Sequence, residues 1–220
     1  MNICPCPIDS DAAQSGLLQL SLSEISALSW RAFRGAGRTW GEAEEGAEAT
    51  CWLARAGLDW AEALIVLLSS PVPDERHASM LCPLRAGLML SDFAGLPEGL
   101  GPGAAHFRIM CAPAFLLPFI AQVTVRTGQG LRMEWNSAHA VLAPGAAPFL
   151  KWNIDATGPA LVAITPLSSA PQPQTAWPPA HHASLTPFQY ETLSTIALKF
   201  TVPTSSSSQA GAGAQGGDND

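Results

Sequence analysis

A glycine-rich segment around residue 35 holds the residues that are chemically most suggestive. Arg31, Arg34 and Arg38 lie close together, and Thr39 can begin a helix directly after them. Guanidinium groups bind carboxylates and phosphates, and the first N–H groups of a helix attract anions. The segment therefore predicts a binding site for a small carboxylate or phosphate. Its candidate residues are Arg31, Arg34, Gly35, Gly37, Trp40 and Glu45.

Two other interpretations of this segment stay open. Gly35, Gly37 and Gly41 have a spacing typical of dinucleotide-binding loops, but such loops follow a strand, and here a capped helix precedes them. A corner between two helices is the simpler interpretation, with Gly35 in a left-handed conformation at the helix end. The arginines could also pair with the acidic side chains that follow them. These are Glu42, Glu44, Glu45 and Glu48.

No familiar catalytic pattern marks a reaction centre in this sequence. Gly-x-Ser-x-Gly, the phosphate-binding loop and His-Glu-x-x-His are all missing. Glu44 and Glu48 lie one helical turn apart and could hold a metal, but such a pair is more often a solvated helix face. Cys4 and Cys6 lack a second pair of zinc ligands. We therefore predict no metal site, and the sequence assigns neither a reaction nor a cofactor.

The composition is that of a folded protein with few charges. Of 220 residues, 47% are hydrophobic and only 13% are charged, which favours one globular domain over a disordered chain. The formal charge of -7 argues against nucleic-acid binding, which depends on contacts with phosphates. The apolar runs are too short for a membrane helix, and five scattered cysteines suggest no disulfide framework. We therefore expect a cytoplasmic protein without nucleic-acid or membrane partners.

Capping patterns predict three helices between residues 21 and 70. Ser21–Glu24, Thr39–Glu42 and Asp59–Glu62 each place a capping side chain three residues before a glutamate. The first helix should end at Gly35 and the second near Gly57, because glycine tolerates the left-handed conformation that closes a helix. Apolar side chains with helical spacing then predict that the three helices bury a shared surface.

Short apolar segments between residues 80 and 166 predict a central mixed or antiparallel sheet. Asn136 and Ser137 separate two of these segments and predict a tight hairpin. Residues 114–127 fit both a strand and a helix, and we favour the helix because Pro113 suits a first helical turn. The fold class is therefore α+β. The predicted strands are 87–93, 106–111, 131–135, 138–142 and 160–165.

The two ends of the chain and one internal segment are expected to lie outside the core. Residues 1–16 are predicted to be disordered, and a Pro-rich linker at 168–185 precedes a final helix at 186–200. One domain thus spans residues 17–202, and a flexible tail follows at 203–220. The acidic end of this tail is predicted to dock on a basic groove of this chain or of a partner. The docking residues are Asp218, Asn219 and Asp220.

Several short motifs occur near both ends of the chain in a fixed order. They are Ser21-Leu22-Ser23-Glu24-Ile25, Arg31-Ala32-Phe33-Arg34-Gly35-Ala36-Gly37, Trp40-Gly41-Glu42-Ala43-Glu44-Glu45, Trp52-Leu53-Ala54-Arg55-Ala56-Gly57-Leu58, Val202-Pro203, Gly211-Ala212-Gly213-Ala214 and Asp218-Asn219-Asp220. Over roughly residues 20–70 and 185–220 the chain thereby resembles a bacterial domain-of-unknown-function family, number 3726. Ser205–Ser208 departs from that family, which tends to carry acidic residues and an Arg there. The first helices are also similar to the N-terminal part of the malate/L-lactate dehydrogenase family that lacks a Rossmann fold.

This resemblance names no reaction, so two classes of function remain. The first is an accessory or partner subunit of a small-molecule metabolic enzyme, which fits the missing catalytic patterns. The second is a small-molecule enzyme or anion-binding protein with its site at the Arg/Gly/Trp corner. A concave pocket that holds Arg31, Arg34, Trp40 and Glu45 would favour the second class. An exposed apolar patch on the sheet would favour the first.

Overall fold

Four helices precede the main sheet in the part of the chain that this computed structural model describes, which is residues 16–70, 80–97, 105–151, 158–168 and 180–201. A short strand leads into the first of them. The capping side chains at Ser21 and Thr39 each form the reciprocal pair of hydrogen bonds that the sequence predicts. The elements are β1 Leu18–Ser21, α1 Leu22–Gly35, α2 Trp40–Arg55, α3 Trp60–Ser69 and α4 Pro83–Asp92.

The fourth helix corrects the prediction of a strand at residues 87–93. Leu84, Gly87 and Ser91 are buried at helical spacing, and Pro83 occupies the first turn of α4. Gly87 is needed because a Cβ atom there would meet the Phe119 ring at 2.2 Å. A short apolar segment that contains a glycine is more typical of a strand than of a helix interior, which explains the wrong prediction.

The main sheet has five strands in the order β2-β6-β3-β4-β5, and all neighbours are antiparallel. The predicted hairpin between β3 and β4 is confirmed, and Asn136 in its turn has a φ of 46°. The ambiguous stretch is helical, as favoured: a 3-10 turn at Pro113–Leu116 leads into α5, Leu117–Thr127. The strands are β2 Ala105–Met110, β3 Leu131–Trp135, β4 Ala138–Leu142, β5 Phe149–Lys151 and β6 Ala160–Pro166.

A second, two-stranded sheet joins the two ends of the described chain. Strand β7, His182–Leu185, pairs antiparallel with β1 and is followed by helix α6, Pro187–Leu198. The predicted Thr186 cap of α6 is confirmed, with Gln189 completing the reciprocal bonds. Strand β7 occupies residues that the sequence assigned to the Pro-rich linker. The α+β class is as predicted.

The core lies between the helices and one face of the main sheet. Leu131, Met133 and Trp135 of β3 are buried, whereas Arg132 and Glu134 between them are exposed. This alternation places one face of the sheet on the helices and leaves the opposite face open to solvent. The open face and the corner between α1 and α2 are therefore the surfaces on which a site can be sought.

Candidate functional site

Helix α1 ends in a Schellman motif centred on Gly37, so the prediction that Gly35 is left-handed is wrong. Gly37 has a φ of 79°, whereas α1 continues through Gly35. The Gly37 N–H donates to the Arg34 carbonyl, and the Arg38 N–H donates to the Phe33 carbonyl, both at 3.0 Å. Two glycines two residues apart offer the same conformational freedom, and the sequence does not distinguish which of them ends the helix.

Gly35 is required for a different reason, which is the close approach of α6. A Cβ atom at this position would lie 1.9 Å from the carbonyl oxygen of Ile196 and 2.9 Å from its carbonyl carbon. The missing side chain lets the ends of α1 and α6 touch backbone to backbone. The corner is thereby joined to the C-terminal helix.

The Arg34 guanidinium lies over two aromatic rings at this corner. Its central carbon lies 4.8 Å from the ring centroid of Trp40 and 5.4 Å from that of Phe200. Its Nη1 donates to the carbonyl of Arg38. The ring of Trp30 lies 5.1 Å from Trp40 and 5.3 Å from Phe200, which completes an aromatic cluster. These contacts fix Arg34 against the protein itself.

The structure does not bring all six predicted site residues together. Arg34, Gly35, Gly37 and Trp40 meet at the corner, as described above. The exposed Arg31 instead donates from Nε to the carbonyl of Ala27 in its own helix, at 3.1 Å. Glu45 lines a separate cleft on the other side of α2.

Arg38, which the sequence placed in the same basic cluster, is buried in the core. It is only 2% exposed, and its Nη1 lies 3.9 Å from the sulfur of Cys82, the residue that precedes α4. Within the described part of the chain, its Nε has no hydrogen-bond partner. Arg38 is therefore not available at the surface to receive an anion.

Glu42 pairs with Arg85 of α4 rather than with the arginines of α1. The Arg85 Nε donates to the Glu42 carboxylate at 2.7 Å, and the Thr39 N–H donates to the same carboxylate at 2.9 Å. Burial by itself would raise the pKa of Glu42, but the hydrogen bonds from Arg85 and Thr39 lower it on balance. The cap of α2 is thus fastened to α4.

We expect Glu42→Gln to destabilise the fold at neutral pH by about 1 kcal/mol or more. Because folding lowers the pKa of Glu42, its ionised form stabilises the protein above the unfolded pKa, and this contribution disappears as pH falls through the folded pKa. Chemical denaturation from pH 7 to about pH 3 should therefore show the two proteins converging below about pH 4. A difference that is independent of pH would contradict this assignment.

The cleft that contains Glu45 lies between α2, α5 and the loop after β4, and its volume is about 390 Å³. Glu45 and Glu48 of α2 face it, and Trp52, Phe119 and Val125 supply apolar wall. Burial is the main reason that the pKa of Glu45 is raised, followed by the nearby charges of Glu48 and Asp92. The Arg126 guanidinium partly opposes this shift. The described lining therefore combines a mainly apolar wall with a net negative charge.

Neither a metal centre nor a membrane-spanning helix occurs among the described residues. No group of three or more His, Cys, Asp or Glu side chains there could hold a metal ion. None of the helices described is both long and apolar enough to cross a membrane.

Cys51, Cys82 and Cys111 are free thiols. The predicted tail residues Asp218, Asn219 and Asp220, like residues 1–15, lie outside the described residues.

The fold and these sites define an α+β protein whose N-terminal helical unit carries a capped, glycine-bearing corner. Residues 20–95 match the model of a family described as "Protein of unknown function (DUF3726)". The match contains α1 to α4 and confirms the resemblance of the first helices to that family. No curated protein and no solved structure was found to match the chain. The likeness at residues 185–220 lies outside the matched range, and the likeness to malate/L-lactate dehydrogenases stays a prediction.

Proposed function

We propose that the protein is an accessory subunit that binds a metabolic enzyme through the open face of its five-stranded sheet. The observation that carries this proposal is the exposure of large apolar side chains on that face. Leu161 of β6 is 67% exposed, Phe149 of β5 is 51% exposed and Ile109 of β2 is 46% exposed. Ile109 and Leu161 lie on neighbouring strands and form one apolar area, whereas Phe149 lies on the edge strand β5 beyond β3 and β4. Contiguous exposed apolar areas mark surfaces that bind a partner.

The arrangement of these side chains resembles the anatomy of a protein interface. Ile109 and Leu161 line a surface depression of about 620 Å³ together with Glu134 and Ala163. Glu134 also forms an exposed ion pair with Arg132, at a distance of 3.4 Å. These charges lie on the central strand β3 and border the apolar area on β2 and β6, and a mixed polar and apolar composition of this kind is usual in interfaces between proteins that also exist apart.

The alternative, an anion or small-molecule site at the corner, has less support. Arg34 already contacts the rings of Trp40 and Phe200 and donates to a carbonyl. Arg31 and Glu45 lie elsewhere, so the four side chains that would have defined the pocket are not gathered.

Docking of the acidic end Asp218–Asp220 near Arg34 stays a proposal. The contact of Phe200 with Arg34 supports it, because it brings the beginning of the C-terminal segment to the corner.

A cytoplasmic location also stays part of the proposal. It is supported by the three free thiols and by the odd number of cysteines, five in all. Scattered unpaired cysteines are usual in reducing compartments.

The experiment that tests the accessory function is affinity capture from native lysate with three forms of the full chain. They are the wild type, Leu161→Glu and Met89→Glu. Met89 lies on α4 and is 64% exposed, so its substitution adds the same charge at a matched apolar position away from the sheet. We expect the wild type and Met89→Glu to retain the same enzyme and Leu161→Glu to lose it. Retention by all three forms, or by none, would contradict the proposal.

A further inference from the structure

The cleft between α2 and α5 combines features that a ligand site needs. None of its described lining residues belongs to the depression on the open face of the sheet, where partner docking is proposed. Its volume of about 390 Å³ lies in the range of small-molecule pockets. One part of its wall is apolar and includes Trp52, Pro118, Phe119 and Val125. Val125 is 62% exposed, so apolar surface remains uncovered at the rim of the cleft.

The polar groups of the cleft favour a cation over an anion. Glu45 and Glu48 both line it and lie on adjacent positions of one helix face. Among the described lining residues the one arginine is Arg126. It donates from Nη1 to the carbonyl of Ser91, and the Ser91 hydroxyl donates to Gln122 Oε1 at 2.7 Å. This network fixes Arg126 and Gln122 to α4. Arg126 offsets part of the negative charge near Glu45, but two carboxylates and one guanidinium leave the described lining with a net negative charge.

We propose that this cleft binds a small organic cation, namely a protonated primary amine attached to a flat apolar body. The ammonium group would pair with the carboxylates of Glu45 and Glu48. The apolar body would lie along the half-buried Trp52, which offers a large flat surface, and along the exposed Val125. A bare divalent metal fits less well, because it requires about six oxygen ligands and the cleft offers two carboxylates beside an apolar wall.

The raised pKa of Glu45 agrees with this ligand class. Burial and the charges of Glu48, Asp92 and Glu44 raise its pKa, and Arg126 lowers it. A bound ammonium would relieve the same repulsion and would favour the ionised carboxylate. Binding should therefore weaken as pH falls through the raised pKa of Glu45, since the amine itself stays protonated.

The test is calorimetric titration of the full chain at neutral pH with 2-phenylethylamine, and with 2-phenylethanol as a neutral probe of matched size. We expect saturable binding of the amine and at least about tenfold weaker binding of the alcohol, which lacks the charge. The double variant Glu45→Gln/Glu48→Gln should weaken amine binding at least tenfold. Glu44→Gln, an exposed neighbour outside the cleft lining, should weaken it far less, because its charge has the smallest of the effects on Glu45.

Three results would overturn the proposal. The first is no saturable binding of the amine up to about 10 mM, a concentration that corresponds to an affinity too weak for a specific site. The second is equal binding of amine and alcohol, or equal binding by the double variant and Glu44→Gln. The third is displacement of the amine by Ca²⁺, which would assign the carboxylates to a metal instead. Thermal unfolding of each variant confirms that it is folded, and none of these results bears on the sheet face.

Discussion

Gly35→Ala is expected to lower the free energy of unfolding by about 2–4 kcal/mol, a large effect for one methyl group. The added Cβ would lie 1.9 Å from the carbonyl oxygen of Ile196, so α1 and α6 would have to move apart. The backbone of Ile196 cannot rotate away as a side chain could. The contact that joins the corner to the C-terminal helix would therefore be lost.

Two other glycines supply matched controls for this substitution. Gly41 lies in α2 with no atom within 4 Å of an added Cβ, so Gly41→Ala should stabilise the helix by up to about 1 kcal/mol. Gly37 has open space but a φ of 79°, so Gly37→Ala should cost about 1 kcal/mol. Denaturant unfolding should rank the variants Gly35→Ala, Gly37→Ala, wild type and Gly41→Ala in order of increasing stability. An unchanged midpoint for Gly35→Ala would contradict the close approach of the two helices.

Gly46→Ala is expected to destabilise the packing of α1 on α2 by about 1–3 kcal/mol. A Cβ at Gly46 would meet the ring of Phe33 at 2.5 Å. Phe33 is fully buried, and its ring packs edge-on against Phe115 at a centroid distance of 6.3 Å, so it has little room to yield. The glycine and the phenylalanine thus form a complementary pair across the two helices.

A double-mutant cycle measures this complementarity. Phe33→Leu alone should cost about 1–2 kcal/mol through the cavity it leaves. Combined with Gly46→Ala, the smaller side chain should make room for the new methyl group, so the double variant should be at least about 1 kcal/mol more stable than the sum of the single effects predicts. Strict additivity would show that the ring of Phe33 does not press on Gly46.

The parts of the fold that could be predicted from the sequence are those with a local cause. The Ser21 and Thr39 caps depend on side chains three residues away, and the Asn136 turn depends on the two strands that flank it. Helix α4 was missed because its central residue, Gly87, is determined by contact with Phe119, which follows much later in the chain. Strand β7 is short and gains its pairing from β1, so its sequence alone carries little signal.

The candidate sites show the same limit. The sequence correctly joined Arg34 to Trp40, which lie within one corner, but Phe200 completes that cluster from the far end of α6. Glu42 finds Arg85 through tertiary packing, although nearer arginines were available in the sequence. Alternation along β6 could have indicated that Leu161 faces away from the core. That no described helix covers this face follows only from the assembled structure.

The most direct test of partner docking on the open face of the sheet uses the enzyme that the capture experiment retains. The affinity of this enzyme, once purified, is measured for the wild type, Leu161→Glu and Met89→Glu. We expect Leu161→Glu to weaken binding at least about 30-fold, because it places a charge at the centre of the interface. Met89→Glu should bind like the wild type, since its exposed apolar side chain lies on α4. Equal affinities for all three forms would show that the open face of the sheet is not the docking surface.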